Sequence, residues 1–286
     1  MPATASIAPR RIWPLLSDLF LASLVLCVAS GLVLAVQYRP LGDVARNVEE
    51  ITTLAPYGFF FRRLHYFAGQ ACALLALAHV MHYLAAGAAR RVALGPWVRL
   101  VGGMAACFGL LLTGFMLKGD LEARHAAAVL ENLAGAVPLV GNVAARLLVG
   151  RGEGIFFLPY VHHCLVLPPV LYLCLRGHVR GWVPGWRRLA AAATALALWC
   201  LVVPLPLQAR PGTDVGPAMG PWFLLGLQEM LRHAPIILAG VVLPAVFMGL
   251  VAVLPLLRGR AAGPARFLIL GGFCLYAVLG FRLVFR

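Results

Sequence analysis

The sequence predicts an all-α, polytopic membrane protein, a four-helix bundle followed by three further transmembrane helices. Two observations carry that prediction. Of the 286 residues, 62% are hydrophobic and only 12% charged, where a soluble domain carries roughly 25% charged residues. The apolar residues, with a mean hydropathy of +0.90 over the chain, also fall into seven runs long enough to cross a bilayer. A hydrocarbon core about 30 Å thick takes roughly 20 helical residues.

In order, the runs are 15–37, 63–86, 97–117, 158–180, 187–206, 234–256 and 266–283. Arg10 and Arg11 precede the first, as they would a signal peptide. That run is too long for a signal core, and its end, Val36-Gln37-Tyr38-Arg39-Pro40, is no cleavage site, so it reads as a retained span. The longer connections, 38–62, 118–157 and 207–233, all fall on one side. Within the second of these, residues 132–148 read as a short amphipathic helix on the membrane surface. Gly181-Trp182-Val183-Pro184-Gly185-Trp186 reads as a tight turn, the seam between a four-helix part (1–186) and a three-helix part (187–286).

The formal net charge is +14. Nucleic acid is excluded as the reason, because the basic residues stand singly or in pairs between apolar runs and form no stripe. They read as topogenic charges at helix ends. With the N-terminus in the cytoplasm, the inner segments carry Arg10, Arg11, Arg90, Arg91, Arg99, Arg176, Arg180, Arg187, Arg188, Arg258, Arg260 and Arg266. Asp18 is the one acid among them, and the outer loops hold the other nine of ten. Basic counts on the two sides are equal, and the compactness of the inner loops favours this orientation. All seven cysteines (Cys27, Cys72, Cys107, Cys164, Cys174, Cys200, Cys274) lie in apolar segments without a C-x-x-C spacing. They read as small buried hydrophobes.

Six of the eight histidines lie in or beside two spans: His65, His79 and His82 in the second, His162, His163 and His178 in the fourth. Ionisable groups inside a membrane are costly and point to function. His65 and His79 are 14 apart, which brings them within about 40° of one helix face and separates them by roughly 21 Å. His82 lies about 100° from that face. His163 and His178 are 15 apart, about 60° from eclipsed and roughly 22 Å along the axis, while His162 points nearly opposite to His178. The two spans run in the same direction, so His65 faces His163 near the outer side and His79 faces His178 near the inner side. Paired neutral imidazoles supply the two axial ligands of a haem iron, and four supply two haems. A hydrogen-bonded core histidine or a proton relay is the competing reading, and two matched pairs fit it poorly. His125 and His233 fall in outer loops and read as solvated, with His233 alternatively touching a quinone or a partner.

At these residues the chain resembles cytochrome b of the quinol-oxidising bc1/b6f-type complexes, and the b6f form more closely. Tyr38-Arg39-Pro40 ends the first span as in that form, and Gly58-Phe59-Phe60-Phe61-Arg62-Arg63-Leu64-His65 follows the family's G-x-x-x-R-x-x-H. Thr113-Gly114-Phe115-Met116-Leu117 resembles the end of its third helix, and Asn132-Leu133 and Val137-Pro138 its surface helix. His163 followed by Leu167-Pro168 repeats the spacing of its fourth. Pro221-Trp222-Phe223 and Leu227-Gln228-Glu229-Met230-Leu231-Arg232 are similar to the P-E-W-Y segment and following helix of a fused subunit IV.

The resemblance implies two b-type haems ligated by His65, His163, His79 and His178. Arg62 would meet a haem propionate, and Gly31 and Gly114 would be cofactor-binding positions, Gly31 letting a haem edge approach. It implies a membrane-embedded dihaem subunit passing electrons between quinol, such as menaquinol, and partner subunits. Those partners would be a Rieske-type protein or a multihaem c-type cytochrome, and a homodimer is compatible with it.

The chain departs from the family at several places. Gly220-Pro221-Trp222-Phe223 lacks the glutamate of P-E-W-Y, Lys118-Gly119 replaces a P-W, and Leu158 replaces an arginine five residues before His163. Ser17 and Leu100 stand where glycines are expected, and Ser23 where the b6f form anchors an extra haem, which is therefore not expected. Glu229, eight residues after Pro221, is then the candidate acceptor for a quinol proton, against a reading as a solvated interfacial carboxylate. Asp120, Glu122 and Glu131 are the other outer acids considered, and Asp18 could serve a quinone on the inner side. Two other classes compete: a subunit that keeps its haems without quinone turnover, and a non-redox transporter or proton channel. The last needs polar residues along other spans, and the third, fifth, sixth and seventh have almost none.

Overall fold

The computed structural model describes residues 12–150, 152–179, 185–205, 219–257 and 261–285, and among them the regular elements are all helical. Arg10, Arg11, Arg180, Arg258, Arg260 and the 181–184 turn lie outside the described residues. The helices are α1 (Ile12–Ala35), α2 (Val44–Thr53), α3 (Gly58–Ala85), α4 (Leu94–Met116), α5 (Leu121–Gly135) and α6 (Gly141–Leu148). They continue with α7 (Phe157–Leu175), α8 (Trp186–Val202), α9 (Leu225–His233), α10 (Leu238–Leu256) and α11 (Ala262–Val284). Six of them, α1, α3, α4, α7, α10 and α11, are long and apolar enough to cross a membrane. The fifth expected span is α8, at 17 residues the shortest of the apolar helices.

Lipid is as apolar as leucine, so these helices associate through close packing, which favours small residues at their contacts. α1 packs along α3 and α4 along α7. Gly69 of α3 lies beside the thiol of Cys27 on α1, and Gly102 and Gly103 of α4 sit against Cys174 and Leu175 of α7. Ala68, Cys72 and Ala73 on α3 and Ala106 and Cys107 on α4 are buried. At the end of the bundle holding Trp97, that residue's indole N–H donates to the Val251 carbonyl at 2.7 Å and ties α4 to α10. Leu84, Leu254 and Ile269 close over it. At the opposite end Tyr38 stacks on Tyr160 with ring centroids 5.4 Å apart and donates to the Leu117 carbonyl. Burial pushes its phenol well above the ordinary tyrosine range.

The C-terminal part closes back onto the beginning of the chain. α8 packs against α1 and α3, and α9 against α11. Asp18, buried in α1, pairs with Arg188 at the start of α8. The carboxylate expected to serve an inner quinone therefore has a guanidinium against it.

The longer connections after α1 and α4 hold more helix than the sequence suggests. Residues 38–62 contain α2, capped by Asp43, whose side chain accepts from the Arg46 N–H. The single surface helix expected over 132–148 is two helices, α5 and α6, joined by a reversal. Pro138 cannot continue α5, and Leu139 turns the chain with a left-handed φ of +69°. Gly141 follows because a Cβ there would stand 2.4 Å from the Gly135 carbonyl oxygen. Asp120 caps α5 from a buried position, accepting from the Ala123 N–H at 2.9 Å, and pairs with Lys118 at 3.1 Å. Glu122 pairs with the same lysine at 2.7 Å.

Candidate functional site

α3, α7 and the turn after α7 that carries His178 bring the four selected histidines together as two pairs. The His65 and His163 ring centroids are 6.0 Å apart with planes crossed at 79°. The His79 and His178 centroids are 6.1 Å apart, crossed at 74°. An imidazole nitrogen binds a metal at about 2 Å. Two rings sharing one metal atom therefore have centroids roughly 6 Å apart, and both pairs have that separation. The residues present fit a bis-imidazole haem at each level.

Local hydrogen bonds set which nitrogen of the first pair points inward. Nδ1 of His65 lies 2.9 Å from the Cys27 carbonyl oxygen, which only accepts. Nδ1 therefore carries the proton, and Nε2 keeps its lone pair for a ligand. Thr113 donates its hydroxyl hydrogen to the Gly109 carbonyl at 2.7 Å. Its oxygen is left to accept from Nδ1–H of His163 at 3.1 Å. Two different elements, α1 and α4, thus hold the two rings in the same tautomer.

Gly31 and Gly114 serve these rings directly. A Cβ on Gly31 would come within 2.8 Å of Cε1 of His65, and one on Gly114 within 2.8 Å of Cε1 of His163. Each glycine makes room for an imidazole, whereas the sequence suggested room for a cofactor edge at Gly31. Arg62, three residues before His65, donates to the Thr52 hydroxyl of α2 at 2.8 Å. His82 and His162 do not join the pairs: His162 Nε2 lies 2.7 Å from the Leu147 carbonyl.

The difference in histidine spacing has a backbone cause. α7 contains a π-helical turn over His162–Val166, closed by the Leu167 N–H bonding back five residues to the His162 carbonyl. Pro168 and Pro169 follow and supply no N–H, so the α-helical ladder cannot continue through them. A π-turn takes up one extra residue. The 15-residue spacing from His163 on α7 to His178 just beyond it therefore presents its ligands much as the 14-residue spacing of α3 does.

On the C-terminal side the Gly220-Pro221-Trp222-Phe223 segment is tied to four helices. The Trp222 indole N–H donates to Oε1 of Gln70 on α3 at 2.6 Å, and Phe223 packs against Phe108 of α4. Tyr276 of α11 donates its hydroxyl to the Phe223 carbonyl at 2.7 Å, and Gln228 of α9 accepts from the Gly220 N–H at 2.9 Å. Glu229 is 0% exposed. It is therefore a buried carboxylate and not a solvated one. Its Oε1 lies 3.2 Å from Nε2 of His233 and 3.7 Å from Nε of Arg282 on α11, and its Oε2 lies 3.9 Å from Nε of Arg232. His233 is half-exposed. Sequence reasoning missed Thr113, the Cys27 carbonyl and Gln70. The signal for the last was an amide inside an apolar run.

Facing imidazole pairs in an all-helical membrane bundle define the class, a membrane haem protein. A family model described as cytochrome b/b6/petB matches residues 4–180. Cytochrome b6 of Porphyra purpurea is 28% identical over 159 residues, 54% of this chain and 73% of its own. Cytochrome b6 of Heliobacterium mobile is 29% identical over 168 residues, 55% of this chain and 76% of its own. A solved structure titled hyperthermophilic respiratory Complex III shares the fold, with a TM-score of 0.71 over 94% of this chain and 87% of its own, at 17% identity. The chain belongs to the cytochrome b family. It is a b-type cytochrome of membrane electron transport.

Proposed function

We propose that the protein is the dihaem membrane subunit of a quinol-oxidising complex, carrying electrons across the bilayer between a quinol and partner redox subunits. The observation that supports this is the second imidazole pair, at the same 6 Å separation as the first and roughly 21 Å away along α3. His65 and His163 hold the outer haem, His79 and His178 the inner. A haem held in this way supplies one-electron transfer. The chain's own part is to fix the ring tautomers through Cys27 and Thr113, to keep space for the rings at Gly31 and Gly114, and to offer Arg62 to a propionate.

At the outer end Glu229 accepts the quinol proton, and His233, 3.2 Å away and half-exposed, leads it to water. α8 crosses as a seventh span, and the N-terminus lies in the cytoplasm of a bacterium. Residues 1–186 form the dihaem bundle and 187–286 a subunit IV-like region. The likeness of fold to a chain of a respiratory Complex III supports a multisubunit setting. The partner is a Rieske-type or multihaem c-type protein, and the chain itself is a candidate homodimer.

A haem-bearing relay subunit without its own quinol site is the second reading. It is favoured by Glu229 turning toward Arg282 on α11. Haem-to-protein stoichiometry and the reduced-minus-oxidised spectrum test the first claim: two haems per chain are expected, with one lost in His163→Ala. A single haem in the unaltered protein would sink the four-ligand assignment. Rates of quinol-dependent haem reduction separate the two readings. At least a tenfold fall is expected in Glu229→Gln, and an unchanged rate removes Glu229 from the mechanism.

A further inference from the structure

We propose that Gln70 and the aromatic side chains around it bind the headgroup of a quinone or quinol at the outer end of the bundle. This rests on the quinol reading above and adds the contact residues to it. Arg63, Phe67 and Gln70 stand at i, i+4 and i+7 of α3 and share one helix face. Gln70 follows His65 by five residues, about 140° around the helix and roughly 7.5 Å along it. The face therefore looks away from the imidazole pair while staying close to its level.

Two other parts of the chain frame that face. Arg63 donates to the Cys200 carbonyl of α8 at 2.9 Å, and Phe67 meets Trp199 of α8 edge to face at 6.1 Å. Trp222 reaches Gln70 from the other side, its indole N–H 2.6 Å from Oε1. Trp199 and Trp222 are 53% and 38% exposed, so neither is enclosed by the chain.

An amide in hydrocarbon is costly unless its polar atoms are used. Trp222 can only donate, so it fixes Oε1 as the atom facing it and turns the NH2 group outward. Among the described residues no hydrogen bond uses that group. Oε1 also keeps a second lone pair. A donor and an acceptor on one neutral group, between aromatic planes, suit a flat ring bearing carbonyl or hydroxyl oxygens. The amide donates to a quinone carbonyl and accepts from a quinol hydroxyl, so it holds both redox forms without a charge. Binding in this place needs no carboxylate, and proton acceptance is left to a separate group.

An azido-naphthoquinone photolabel on the intact protein in membranes tests the site. Label is expected on the peptide holding Phe67 and Gln70 or the one holding Trp222, displaced by menadione. Gln70→Leu is expected to cut labelling at least fivefold and raise the KM for menadiol-dependent haem reduction at least tenfold, with both haem bands intact. Label on other peptides, or unchanged labelling in Gln70→Leu, overturns the proposal. Should that variant lose its haems, Gln70→Glu removes the donor at nearly constant shape, and undiminished labelling at pH 8 overturns the proposal equally. Label at Gln70 without any haem reduction would sink quinol oxidation and leave the site standing. Reduction at an unchanged KM in Gln70→Leu would do the reverse.

Discussion

Around each imidazole of the His65–His163 pair two groups act on the ring, a hydrogen-bond acceptor and a glycine. A methyl group at Gly31 or Gly114 would stand 2.8 Å from an imidazole carbon, too close to be absorbed without moving the ring. Overpacking of this kind costs roughly 1–3 kcal/mol. On the two-haem reading, Gly114→Ala is therefore expected to displace His163 and weaken haem binding at the His65–His163 pair while sparing the His79–His178 pair, read as loss of one component in the low-temperature α band. Thr113→Val keeps the volume and removes the oxygen that accepts from Nδ1–H of His163. Loss of such a supporting hydrogen bond typically costs about 10- to 100-fold in metal affinity, so faster haem loss to an apo-globin acceptor is expected. The histidines themselves were legible from spacing alone, since a cost-bearing residue type recurred on one face of two spans. Cys27 and Thr113 were not, because a backbone carbonyl has no sequence signature and a lone threonine in a span often bonds its own helix, as this one also does to Gly109.

At the scale of elements the spans were readable because lipid imposes one composition over a fixed length. Element boundaries were less so. α3 begins at Gly58, five residues before its apolar run, and the connection after α4 holds two helices with a sharp reversal. The π-turn in α7 left only an indirect trace, the Pro168-Pro169 pair. Replacing both prolines with alanine restores two N–H donors and lets α7 run as a regular helix through His163. That rotates His163 by about 100° relative to His178. The variant is expected to hold one haem per chain in place of two, and retention of both would show that the turn does not set the register.

At the scale of the molecule, the C-terminal part is fastened to α1 and α3: Asp18 with Arg188, Arg63 with the Cys200 carbonyl, Gln70 with Trp222. The first of these is unequal, with the Asp18 side chain 3% exposed and that of Arg188 51%. Removing the guanidinium withdraws a cation from a buried carboxylate, whereas Asp18→Asn leaves a half-solvated arginine. Arg188→Met is therefore expected to lower the Tm by more than Asp18→Asn, and the double variant to recover part of the loss, followed by haem absorbance on heating in detergent. None of these contacts was legible in the sequence, because each joins residues more than a hundred positions apart.

The regular rise of α3 between His65 and His79 has an electrical consequence for the two-haem reading. Fourteen residues span about 21 Å, roughly 0.7 of a 30 Å hydrocarbon core. A unit charge crossing the whole core changes energy by about 2.3 kcal/mol per 100 mV. An electron passing between the two levels would then feel about 1.6 kcal/mol per 100 mV, a shift of roughly 15-fold in its distribution. With an inside-negative potential the inner level is the uphill one. The transmembrane voltage would thus act as a throttle on the protein, holding electrons at the outer level in an energised cell and releasing them inward as the voltage collapses.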